Sequence, residues 1–350
     1  MQPLSPQALL AQLATTPLLG QGRQQHRALC EQLGASLATQ PDRAVQMQLI
    51  AAQALLRFSE GRPDASERLG EAARRAADAG DTRLATRLRL TQARALASTG
   101  RAATAEVLIE DAAEAVRQDP ALLPDLQLAR AAVGEPEAPQ LWLAALDRLP
   151  SPARDHDRLE ALLGLGLAAR DGNDPVRARG HWGRALALAQ AHQDPVALHR
   201  ISALLGHLCL EAGLPDEASR HLRAALDAAT TLDDPLPQLS AGTILAAMAL
   251  HRGDWAEAEA LARRNATAAS RRNNWSAMAD AAITLSTCRL RQADLPGAVQ
   301  ALWETATLLR DLGAAAALNL IKARLAELRL EVGAAAFDPA LAKIVRMPRG

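Results

Sequence analysis

Apolar residues in this chain recur at steps of three and four, and from Asp194 to Gly313 that helical rhythm is itself repeated in a 40-residue register. Each of three copies opens on a capping residue: Asp194, Asp234, Asn274. A turn residue follows nineteen positions later (Gly213, Gly253, Ala293), and five further on comes Ala218, Ala258 or Ala298. Before each turn a Leu precedes a small residue, at Leu205-Gly206, Leu245-Ala246 and Leu285-Ser286. Every copy therefore holds two apolar-periodic segments of helical length, as in Ile201, Leu204, Leu205 and Leu208. Asp-Pro at 194–195 and 234–235 sets a capping carboxylate before a proline whose missing N–H would have been unpaired anyway. Glycine at 213 and 253 ends the first helix because it adopts the left-handed conformation without strain. Small residues let two helices joined by a short turn approach closely. One hairpin cannot bury its own apolar stripe, so the copies must stack.

Outside the three clear copies the frame loosens but persists. Residues 1–40 read as N-terminal capping helices, the first capped by Ser5-Pro6, and 41–118 as two hairpins with turns near Glu60–Asp64 and at Gly100. Prolines crowd 119–150, at Pro120, Pro124, Pro136, Pro139 and Pro150, and restrict it to short helices. That segment is a short irregular hairpin or a hinge, with Trp142 to pack. Ser151-Pro152 restarts the regular frame, and 151–313 accommodates four hairpins. A helix from Ala314 to Val332 should seal the last hairpin, Asp338-Pro339 should start a short final helix, and 346–350 should fray. The predicted fold class is all-α: a right-handed α-solenoid of about seven stacked helix hairpins with N- and C-terminal capping helices.

The spacing Leu205-Gly206…Gly213…Ala218, matched by Leu245-Ala246…Gly253…Ala258 and Leu285-Ser286…Ala293…Ala298, resembles the tetratricopeptide repeat. The 40-residue period is similar to the long-helix variant found in signalling scaffolds and in sensor domains of large bacterial transcription activators. The family's tyrosines are missing, since the chain has no Tyr. The resemblance implies that first helices line a concave groove. It carries over Arg200, Ala203, His207, Leu210 and Glu211; then Ser240, Thr243, Ala247, Leu250 and His251; then Asp280, Ile283, Thr287, Leu290 and Arg291. Upstream it reaches Arg87, Arg94, Glu160, Arg170 and Asp171. Partner binding is thus expected at Arg200, His207, Glu211, Thr243, His251, Asp280, Thr287 and Arg291. No Lys/Asn clamp for a C-terminal carboxylate and no asparagine ladder appears, so a helix or folded protein surface suits this groove better than an extended tail. Bulky core positions of the family fall on Trp182 and Trp255, with Trp303 one residue beyond such a site.

Composition narrows the work further. At 49% hydrophobic, 350 residues can bury a large core, and with 2% aromatics that core must be Leu and Ala. The 39 basic and 39 acidic residues cancel, which argues against a nucleic-acid or anionic-membrane surface. Cys30, Cys209 and Cys288 lack metal or redox spacing and fit a reducing compartment. With no apolar run of spanning length and no basic leader, the expected location is cytoplasmic.

No phosphate loop, paired-cysteine signature or nucleophile elbow is present. His207, Glu211 and His251 would suit zinc if stacking joined them, but polar residues of an interaction surface are the better reading. Asp155-His156-Asp157 lies at a helix start, where acids complement the macrodipole. Arg223, Arg263 and Glu259 read as exposed on second helices. The expected function is a non-catalytic scaffold or adaptor for another protein, without cofactor or metal; the alternative is a regulatory sensor of a peptide or small molecule.

Overall fold

The computed structural model describes residues 4–39 and 41–346, and all regular structure among them is helical. The chain forms two compact units, 1–197 and 198–350. Unit 1 begins with α1 (Pro6–Thr15), α2 (Gln21–Thr39), α3 (Arg43–Ser59) and α4 (Ala65–Asp78). It continues through α5 (Thr82–Ser98), α6 (Ala102–Gln118), α7 (Leu123–Val133) and α8 (Ala138–Leu146), and ends on α9 (Asp155–Asp171) and α10 (Pro175–Ala191). The next helix, α11 (Pro195–Glu211), carries the boundary. Unit 2 then holds α12 (Pro215–Thr231), α13 (Pro235–Arg252), α14 (Trp255–Arg271), α15 (Trp275–Arg291) and α16 (Leu295–Asp311). It closes with α17 (Ala315–Val332) and α18 (Ala334–Val345). Between the first and last helix pairs, seven hairpins run from α3/α4 to α15/α16, as the repeat pattern predicts.

A shorter rhythm lies beneath the 40-residue one. A residue of positive φ recurs every twentieth position: Asn173 (57°), Gln193 (49°), Gly213 (70°), Asp233 (52°), Gly253 (75°), Asn273 (52°), Ala293 (63°) and Gly313 (69°). Each ends a helix, and the two N–H groups at the turn bond back into the last turn. At Ala293 these are Ala293 N–H to the Leu290 carbonyl (3.0 Å) and Asp294 N–H to the Arg289 carbonyl (2.8 Å). Carbonyls that would be orphaned at a helix end are thereby satisfied. Except at Leu214 and Ala314, the next residue caps the following helix with its side chain: Asp254 accepts from Glu257 N–H (3.1 Å), Asn274 from Ala277 (3.1 Å) and Asp294 from Gly297 (2.9 Å). One three-residue device thus serves both the turn inside a hairpin and the link between hairpins. Ala293, without glycine's freedom, takes the same conformation.

Close approach explains the small residues. Ala218, Ala258 and Ala298 are fully buried. A Cβ at Gly206 would stand 2.7 Å from Leu222 Cγ, and one at Gly166 would stand 2.1 Å from Trp182 Nε1. Trp182 is fully buried, and its indole N–H reaches the Leu163 carbonyl at 3.4 Å. Trp255 packs with Ala249, Leu250, Ala258 and Cys288, and Trp303 packs on the core of the last hairpins. Neighbouring first helices touch one another, α3 with α5, α5 with α7 and α7 with α9 in unit 1, then α13 with α15 and α15 with α17 in unit 2.

Local departures have physical causes. Three prolines in 119–150 fall at helix starts: Pro120 opens a 3-10 turn over Pro120–Leu122 that leads into α7, and Pro124 and Pro139 sit in the first turns of α7 and α8, while Pro136 and Pro150 lie between helices. Ser151-Pro152 opens a four-residue turn, 151–154, and α9 begins only at Asp155. The final helix starts at Ala334, not at Asp338, and contains Pro339. Asp338 is engaged by Arg329 through two bonds of 2.7 and 2.8 Å, and the helix carries Phe337 into the core. The tail expected to fray lies, from residue 347 on, outside the described residues.

Candidate interaction surface

In unit 2 the carried-over positions all sit on first helices, α11, α13 and α15. Arg200, His207, Glu211, Thr243, His251, Asp280 and Arg291 are exposed, and Thr287 is half-buried. Their helical spacing keeps the neighbours that point inward apolar: Leu205, Leu208, Leu245, Ala249, Ala282 and Cys288 are buried. The polar residues do not pair with one another. Thr287 Oγ1 donates to its own helix at the Ile283 carbonyl (2.9 Å). The Arg291 guanidinium lies 6.0 Å from the Trp255 ring centroid, a cation–π distance. His207, Glu211 and His251 do not assemble a metal-binding group; among the described residues no three His, Cys, Asp or Glu side chains do.

The same register in unit 1 meets a different fate. Arg94 on α5 is buried, and donates to Asp157 Oδ1 (2.7 Å) and to Glu160, both on α9. Its guanidinium also stacks 5.0 Å from the Phe58 ring. Arg154 bridges Asp157 and buried Asp125, the latter at 2.7 Å. Arg87 lies beside Asp125 at 3.7 Å, where a cavity of about 280 Å³ is lined by Arg83, Arg87, Arg154, Asp81 and Asp125. Burial alone would raise the Asp157 carboxyl, but Arg94 and Arg154 outweigh it and hold the group well below the usual carboxylate range. Burial pushes His156 below the usual histidine value, and its ring stands edge-on to Phe58 at 5.7 Å. His192 Nε2 contacts Asp155 Oδ2 at 2.7 Å. Fully buried Asp194 receives Arg23 (3.0 Å) and the Gly20 N–H (3.1 Å), so the α1–α2 turn docks on the turn after α10.

Asp155 and Asp157 do occupy the first turn of α9, as expected, and each also meets a side chain from elsewhere in the unit, half-buried His192 and buried Arg94. Sequence reasoning missed this network because Arg94 and Asp157 lie 63 residues apart. The one local signal was Arg154 three residues before Asp157. On the second helices Arg223 and Arg263 are exposed and pair with Glu257 (2.5 Å) and Glu259 (2.7 Å). Glu259, expected to be exposed, is largely covered: Arg263 and Arg289 (3.4 Å) close over it.

No protein-family model and no curated protein sequence matches the chain. Solved structures do. A Rap protein complexed with Competence and Sporulation Factor superposes with a TM-score of 0.54 at 14% identity, covering 93% of this chain and 99% of that one. A Signal Transduction ATPase with Numerous Domains protein from Pyrococcus horikoshii, with a tetratricopeptide repeat sensor, gives a TM-score of 0.53 at 12% identity. That match covers 85% of this chain and 55% of the archaeal one. At these identities the likeness is one of fold, and the fold of this chain is the tetratricopeptide-like array of helix hairpins.

Proposed function

We propose that the chain is a non-catalytic scaffold or adaptor whose first helices in unit 2 line a groove that holds a partner protein. One contrast carries the reading. At equivalent register positions, Arg94 and Glu160 of unit 1 neutralise each other, whereas Arg200, His207, Glu211, His251, Asp280 and Arg291 of unit 2 face solvent with no salt bridge among the described residues. Charges left unpaired in an ordered row are a fixed pattern for a partner to read. The balanced net charge favours protein over nucleic acid as that partner, and three buried cysteines fit a cytoplasmic setting. The shared fold of the archaeal protein, with its tetratricopeptide repeat sensor, favours a second reading in which this chain is a regulatory sensor of a peptide or small molecule.

The test is capture of partners from native lysate by wild type and by two double variants. Arg200→Glu with Arg291→Glu should abolish capture while helicity and melting temperature stay nearly unchanged. Arg223→Glu with Arg263→Glu, on second helices, should do much less. The reverse result would place the working surface on the second helices and overturn the reading.

A further inference from the structure

Resting on that groove reading, a second regularity specifies what the partner must present. Counting back from the residues that end the first helices of unit 2 (213, 253, 293 and 333), the third position is a leucine every time: Leu210, Leu250, Leu290 and Leu330. The first three are half-buried and rest on the core, while Leu330 is 85% exposed. Leu320, on the same helix as Leu330, is 45% exposed. Because α13, α15 and α17 pack in succession, their leucines form a row that crosses the helices instead of following one.

Helices in contact lie about 8–10 Å apart. A helix laid across them rises about 1.5 Å per residue, so one heptad advances about 10.5 Å and brings the same face back to the next leucine. An extended strand covers that step in about three residues, and its side chains alternate in direction, so successive contacts would point to opposite faces. The row selects a helix. Beside it, at the second position before each turn, stand Glu211, His251, Arg291 and Glu331. Glu331 is already paired with Arg324 at 3.3 Å, so the signs of Glu211 and Arg291 are the ones that call for a partner: a basic residue opposite the first leucine and an acidic residue opposite the third.

We propose that the partner docks an amphipathic helix bearing one leucine-like residue every seventh position over about three heptads, with a basic side chain placed to meet Glu211 and an acidic one, two heptads on, to meet Arg291. One leucine per heptad is half of a coiled-coil seam, so such a helix has reason to seek this row rather than itself.

A designed, fluorescently labelled helical peptide with that pattern provides the probe, with anisotropy as the readout. Wild type should bind it saturably, and a peptide of equal composition with leucines every fifth residue should not bind. Leu330→Glu should weaken binding at least tenfold without unfolding the chain, because that side chain is already 85% exposed. Leu308→Glu, at a 45% exposed leucine on second helix α16, should bind like wild type. Failure of wild type to bind, equal binding of the respaced peptide, or an unaffected Leu330→Glu variant would each overturn the inference. If the designed helix fails while Arg200→Glu with Arg291→Glu still abolishes partner capture, the groove stands and only the helical partner falls.

Discussion

Ala293 offers the sharpest test of the turn device, because it occupies a position that glycine holds in sister repeats. Its φ is 63°, and an L-residue in the left-handed region costs about 1–2 kcal/mol. Ala293→Gly removes that cost but loosens the unfolded chain, which takes back about 0.4–1 kcal/mol. The net gain should be about 0.5–1 kcal/mol. Gly213→Ala is the mirror experiment: φ there is 70°, and an added Cβ meets nothing within 4 Å, so strain acts without a clash. It should cost about the same amount. Both residues lie in unit 2, so one unfolding transition reports both. For a domain of roughly 150 residues, about 1 kcal/mol moves Tm by about 2–4 °C. Urea midpoints should therefore shift in opposite directions with unchanged slope. A lowered midpoint for Ala293→Gly, or an unmoved one for Gly213→Ala, would refute the argument that the left-handed residue closes each turn.

Two further outcomes are expected. Ala258→Leu, at a fully buried contact beside Ala249 and Cys288, should lower stability by about 1–3 kcal/mol, whereas Ala260→Leu at an exposed site on the same helix should stay within about 0.5; equal urea midpoints would mean that the repeat register is misplaced. In unit 1 the folded state holds His156 and Asp157 below their ordinary values, so the unfolded chain binds more protons, and stability should fall from about pH 6.5 downward through His156 and again below about pH 4 through Asp157. Hydrogen exchange of unit 1 across that range checks this, and protection that stays flat between about pH 6.5 and 4 would exclude the histidine.

The fold was legible because its determinants are local. A capping Asp or Asn, a turn residue nineteen positions on and a small residue five beyond are all read within one hairpin, and each acts there. The 20-residue rhythm was equally local yet hidden, since the left-handed position is filled by Asn173, Gln193, Asp233 and Ala293 as readily as by glycine. What repeats is the backbone conformation, followed by Asp or Asn everywhere except after Gly213 and Gly313, where Leu214 and Ala314 stand. Asp338 misled for a related reason. Asp-Pro reads as a helix start, but bidentate Arg329 holds this aspartate and burial of Phe337 draws the helix back to Ala334.

The site was legible only in part, and the two units show why. Register identifies which side chains line the face of the first helices, and it does so for Arg94 and Arg291 alike. It cannot say whether a charge there is available, because availability depends on what arrives from another hairpin. Arg94 finds Asp157 and Glu160 from α9, becomes buried, and belongs to the stability of unit 1. Arg291 meets the ring of Trp255, remains exposed, and among the described residues has no carboxylate partner. A buried ion network would lose several kcal/mol if a ligand had to displace one member. An unpaired row costs nothing of that kind to engage. Availability, not residue type, therefore separates the half of this register that builds the protein from the half that stays exposed.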